Sequence, residues 1–159
     1  MRKIFTALAF ALCIIFSATA FAEGAEEDVV PVATDSTNGN EWYMDASDVT
    51  VEKNSGGEFI LRANFAVILS DKGKKEIIDY YRTNGQNVQG LDSIALCIET
   101  VHFREAGGKI YFAPTDMLIY NQNKKVIKDL GYVDRDIEWQ PVSAGTIGEK
   151  MYQAARLYI

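Results

Sequence analysis

Histidine occurs once in these 159 residues and cysteine twice, and basic residues are outnumbered by acidic ones, 16 to 22. Each shortage closes off a chemistry. A Ser/His/Asp or Cys/His site needs an imidazole beside its nucleophile, and His102 is the only imidazole in the chain. On an extended segment side chains alternate, so Cys97 and Glu99 face one way and His102 the other. Neither a Cys-His dyad nor a local metal cluster forms along such a strand. The acidic balance repels phosphate backbones, and no Lys/Arg cluster with interleaved aromatics offsets it, which disfavours nucleic acid as a partner. Docking to anionic lipid by charge is disfavoured for the same reason.

Residues 1–22 read as a cleavable signal peptide. Arg2 and Lys3 form a basic start, the run from Ile4 to Phe16 is apolar, and Ala20-Phe21-Ala22 supplies the small-x-small cleavage signal before Glu23. The apolar run is shorter than the roughly 20 residues of a spanning helix, which argues against a retained anchor and for a chain with no stable membrane span after cleavage. Cys13 follows Leu12 rather than a small residue, which argues against lipidation. Cleavage takes two of the 16 basic residues and leaves 14 against 22 acidic, a net −8. It also leaves Cys97 as the single thiol, so no internal disulfide can form. The expected destination is outside the cytoplasm, in the periplasm or at the cell surface.

Residues 23–40, rich in Glu, Asp, Ala, Ser, Thr and Gly and without apolar periodicity, read as a flexible acidic leader, with one folded domain over 41–159. Trp42–Asp45 and Asp48–Val51 read as short strands. Ser55-Gly56-Gly57 is a hairpin connector, and Glu58–Leu69 alternates cleanly, with Phe59, Leu61, Ala63, Phe65, Val67 and Leu69 on the face to be buried and Arg62 and Asn64 opposite. The period changes at Ser70-Asp71, a helix cap. Ile77, Ile78 and Tyr81 then form a helical stripe that stops at Asn84-Gly85. Ser93–Arg104 and Lys109–Tyr120 read as long strands around Ala106-Gly107-Gly108, and Val126–Leu130 as a further strand. Thr146 and Glu149 have capping-box spacing, and Ile147, Met151, Ala154, Ala155 and Tyr158 recur at helical spacing behind them. The predicted class is α+β: an antiparallel meander of about five or six strands, a short mid-chain helix, and a C-terminal helix packed on one face.

Trp42-Tyr-Met-Asp45 with Ser47 and Val49, then Tyr120-Asn121 with Lys124, Val126 and Ile127, then Trp139-Gln-Pro-Val142 and Gly145-Thr-Ile-Gly-Glu149 with Tyr152, resemble the small secreted bacterial proteins grouped with surface-adhesin protein E. The resemblance covers most of the chain from Trp42 onward. It implies a six-stranded antiparallel sheet with a terminal helix and, for the named member, adhesion to host matrix proteins with some haem binding. This chain departs from that pattern in having Ala144-Gly145-Thr146 where the family has Pro-Gly-Ser, and in lacking the late cysteine that often pairs with a mid-chain one.

Few residues invite a site. His102 reads as a half-exposed strand residue or, functionally, as an axial haem ligand or a pH-sensitive contact. Cys97, between Leu96 and Ile98, reads as a small buried hydrophobe or as the link of a disulfide-joined dimer. Asp134-Arg135-Asp136 with Glu138 gathers oxygen ligands but lacks EF-hand spacing, so a solvated loop is expected there and no metal site. Asp45 and Asp48 read as turn caps. Gly56-Gly57 and Gly107-Gly108 are turns rather than phosphate cradles, since neither opens a helix after a strand. Aromatics including Trp42, Tyr43, Phe103, Tyr111, Phe112, Tyr120, Tyr132 and Trp139 are expected mostly in the core. Several exposed together would make a protein-binding patch. No cofactor and no catalytic residue is selected. The reading that follows is an exported, non-catalytic, adhesin-like binding module with a protein or glycan partner. A small-ligand carrier, for haem among others, and a hydrolase with an unrecognised carboxylate pair are the alternatives.

Overall fold

The structure, a computed structural model, describes residues 28–131 and 137–159. The signal-peptide reading of 1–22 lies outside these residues. So do Tyr132 and the Asp134-Arg135-Asp136 segment.

Among the described residues eight strands form one antiparallel sheet, accompanied by two α-helices. In chain order these are β1 (Val29–Thr34), β2 (Glu41–Asp45), β3 (Thr50–Lys53), β4 (Phe59–Ile68), α1 (Asp71–Thr83), β5 (Ile94–Ala106), β6 (Lys109–Asn121), β7 (Val126–Asp129), β8 (Gln140–Pro141) and α2 (Ile147–Arg156). The sheet runs β1-β2-β4-β5-β6-β7, with β3 also paired to β4 and β8 to β6. The α+β class, the mid-chain helix and the C-terminal helix are as the sequence predicts.

Local chemistry explains the elements. The β5–β6 hairpin turns through Gly107 and Gly108, both at positive φ (58° and 71°), the backbone that a two-residue turn of this hand requires. Ser70 caps α1 by accepting from the Gly73 N–H at 3.0 Å. Thr146 caps α2 by accepting from Glu149 N–H at 3.4 Å, and the Glu149 carboxylate reaches back to Gly145 N–H at 2.7 Å. The reciprocal bond of the capping box is thus made one residue upstream of the cap. Asp45 accepts from Ser47 N–H at 3.0 Å and caps the 3-10 turn Ala46–Asp48, as expected of it.

Both helices pack on one face of the sheet. α2 brings Met151, Tyr152 and Ala155 onto Met44, Leu61, Ala63, Phe65, Val101 and Phe103. α1 brings Tyr81, with Ile77 and Ile78 beside it, onto Val67, Leu69, Cys97 and Ile119. The opposite face carries a second apolar group of Ala66, Ile68, Leu96, Ile98 and Tyr120. Next to it, Thr100 Oγ1 donates to Asn64 Oδ1 at 2.7 Å, and Asn64 in turn donates to Asp48.

Five expectations need correction. The acidic leader expected over 23–40 is structured from Val29, because Val29, Val30 and Val32 give a strand that pairs with β2. Pro31 hides its periodicity. An edge strand tolerates the missing N–H, and the register shifts between Pro31 and Ala33. The sheet therefore has more strands than the five or six expected. Phe59 is 64% exposed rather than buried, because it stands at the very start of β4, where Lys53 of β3 lies across its ring. Asn64, placed on the open side, is buried, because Thr100 and Asp48 close on its side chain from either side. Tyr158 leaves the α2 stripe because the helix ends at Arg156, and Tyr152 takes the buried place instead.

Candidate functional site

A cavity of about 460 Å³ opens between α1 and the sheet. Its floor is built by register. Trp42 on β2 stands opposite Val67 on β4, and Val67 opposite Cys97 on β5. Glu99 lies two residues along the same face. Neighbouring strands are about 4.8 Å apart, so Trp42 and Glu99 reach one hollow from strands separated by β4 alone. Ile77, Tyr80 and Tyr81 of α1 form the wall facing them, and Met117 and Ile119 of β6 the far side.

α1 is fixed at this distance by Asn40, whose side-chain oxygen accepts from Ser70 N–H at 3.0 Å. Lys72 Nζ donates to Thr37 O at 2.6 Å and ties the first turn of the helix to the same loop. Its other end is held by Lys128, which donates to Asn87 O at 2.9 Å and sits 3.9 Å from the centre of the Tyr81 ring.

Two buried or half-buried polar groups of the lining, on Trp42 and Glu99, have no partner among the described residues. The indole Nε1 of Trp42 is buried with no hydrogen bond. Glu99 is half-buried, and loss of water around its carboxyl pushes its pKa up from 4.5 to about 7. Among the described residues no cation stands beside it to reverse that shift. Cys97 is 2% exposed, and burial, with Glu99 nearby, pushes its thiol up to about 12. This argues against the Cys97-linked dimer: a thiol this buried is poorly placed to meet a second copy of itself, and burial favours its unreactive protonated form.

Cys97 and Glu99 share this face and His102 lies on the other, as alternation predicts. His102 is half-buried opposite Arg62. Burial and then the Arg62 charge lower its pKa, while Glu52 and Asp116 pull it up. It takes no part in the cavity. Among the described residues no three His, Cys, Asp or Glu side chains converge as metal ligands, and no helix is long and apolar enough to cross a membrane.

A second hollow, of about 430 Å³, lies at the other end of the helix-bearing face among Val51, Phe59, Leu61, Tyr152 and Ile159. Its charged side chains are paired, although the buried Nε of Arg104 has no hydrogen-bond partner among the described residues. Arg104 lies 3.5 Å from Glu58, Arg156 lies 3.7 Å from Glu105, and the Tyr152 hydroxyl donates to Glu105. Arg104 also stacks 4.6 Å from the Trp139 ring. The unmatched carboxyl of Glu99 sets the first cavity apart.

Glu99 did carry a signal in the sequence. It is a lone charge in the inward series Cys97, Glu99, Val101, Phe103, where an apolar residue would serve the core. The cavity above it was not legible, since it depends on how far α1 stands off the sheet. Compared with protein-family models, curated proteins and solved structures, the chain matches none.

Proposed function

We propose that this protein is an exported, non-catalytic binding module that holds a small, largely apolar ligand in the cavity between α1 and the sheet. The observation that carries the reading is the pairing of apolar walls with a carboxyl that has no partner among the described residues. A structural core would place a hydrophobe at that position. A few polar groups in an otherwise apolar concavity are how small-molecule sites fix the orientation of what they bind.

The position of His102 argues against haem as that ligand, since the one imidazole faces away from the cavity. Hydrolysis would ask for a second acid working with Glu99. Glu76, the other carboxyl of the lining, accepts from the Asn38 side-chain amide at 3.1 Å. A protein-binding, adhesin-like role draws support from a different place. Val51, Phe59, Leu157, Tyr158 and Ile159 are exposed large hydrophobes, three of them at the C-terminus, the kind of surface that meets a partner.

Titration with Nile red, a neutral apolar dye, tests the cavity. Saturable one-to-one binding that Ile77→Trp abolishes in a still-folded protein is expected, and absence of saturable binding to the unsubstituted protein overturns the reading. Protease treatment of intact cells, with a periplasmic marker alongside, tests export. Digestion with the marker intact places the protein at the surface, and protection excludes adhesion.

A further inference from the structure

From the charges and rings around the cavity we infer that its ligand is a small organic cation, an amine or quaternary ammonium on an apolar body, whose positive group is received by Glu99. The inference rests on the binding-module reading above and names the ligand class for that same site.

Three features of the lining point the same way. Its charged residues are Glu76 and Glu99, with no Lys, Arg or His among the described residues that form it. Three aromatic rings, Trp42, Tyr80 and Tyr81, stand around it, and ring faces attract cations, more strongly where water is excluded. This wall already does so from outside, where the Lys128 ammonium lies over the Tyr81 ring. Finally, the Glu99 carboxylate is half-buried and has neither a hydrogen bond nor an ion pair among the described residues. A buried charge of that kind is costly alone and tolerated when paired. A cationic ligand supplies the missing partner. An anionic one would add a like charge to an acidic cavity, in a chain whose formal net charge is −6.

The groups that bear on Glu99 are few. Cys97 shares its strand, α1 contributes Glu76, Tyr80 and Tyr81, β7 contributes Lys128 beyond the Tyr81 ring, and the β2, β4 and β6 residues of the lining bring no titratable side chain. Cation binding requires the ionised carboxyl, so affinity should rise as pH rises from 5.5 to 8 and a proton should leave on binding below pH 7.

Three probes with one body separate the possibilities: 2-naphthylmethylamine (a cation throughout this range), 2-naphthylmethanol (neutral) and 2-naphthylacetate (an anion). Each is titrated calorimetrically into the folded protein and into Glu99→Gln. The expected result is at least tenfold tighter binding of the amine than of the alcohol, strengthening with pH. Glu99→Gln should erase that preference while still binding the alcohol. If the alcohol binds and the amine binds no better, or the acetate binds best, the cation inference falls while the cavity reading stands. If none binds, both fall.

Discussion

Gly73 lies so close to the side chain of Asn40 that a Cβ built on it would clash with the amide oxygen. That same oxygen accepts from Ser70 N–H at the start of α1. The contact therefore sets both the capping of the helix and its height above the sheet, and with them the width of the cavity. Substituting Gly73→Ala should force Asn40 aside and destabilise the fold by about 1–3 kcal/mol, the usual cost of overpacking. Thermal unfolding measures it. In an Asn40→Ala background, itself destabilised by loss of the bond to Ser70 N–H, Gly73→Ala should cost much less than in the parent, and an equal cost in both would show that the clash is not the cause.

Glu99 makes stability depend on pH with a definite sign. Its folded pKa, about 7, stands above the unfolded 4.5, so the fold favours the protonated form. The cost is absent below about pH 4.5, grows as pH rises towards 7, and stays constant above that at up to about 3 kcal/mol. Glu99→Gln should be more stable than the parent at pH 8 and indistinguishable from it near pH 4. His102, lowered by burial, acts with the opposite sign as pH falls, and comparing the two proteins cancels it. A pH-independent difference in denaturant midpoints would exclude Glu99 as the source.

The Cys97 thiol should be inert in the folded protein. With its pKa pushed to about 12, the thiolate fraction at pH 8 is about one in ten thousand. Ellman's reagent should react only after denaturant is added, and a non-reducing gel should show monomer. Fast labelling of the native protein would mean that α1 opens readily over Cys97.

Across the sheet, Thr100→Val should remove the one hydrogen bond to Asn64 Oδ1 while keeping the shape. Both residues are buried, at 1% and 2% exposure, so an unsatisfied amide oxygen remains and should cost about 1–3 kcal/mol. Urea unfolding reads this directly. A loss below about 0.5 kcal/mol would mean that water enters this face.

Alternation and capping made much of this fold legible in advance. β4, β5 and β6, the Gly107-Gly108 turn and both helix starts depend on neighbours within a few residues, and those neighbours are visible in the chain. β1 escaped notice because Pro31 and the polar residues around it mask three valines, whose strand character appears only once β2 is there to pair with. Phe59 and Asn64 exchanged their expected environments because exposure depends on which elements end where, not on strand parity. The sequence by itself determined that Cys97 and Glu99 share a face that His102 does not, since a strand permits nothing else. Only the tertiary structure decided that this face, between β2 and β6 and beneath α1, encloses a cavity and leaves Glu99 without a counter-charge among the described residues. Burial and pairing belong to side chains brought together from Trp42 to Ile119, and no local pattern records that distance.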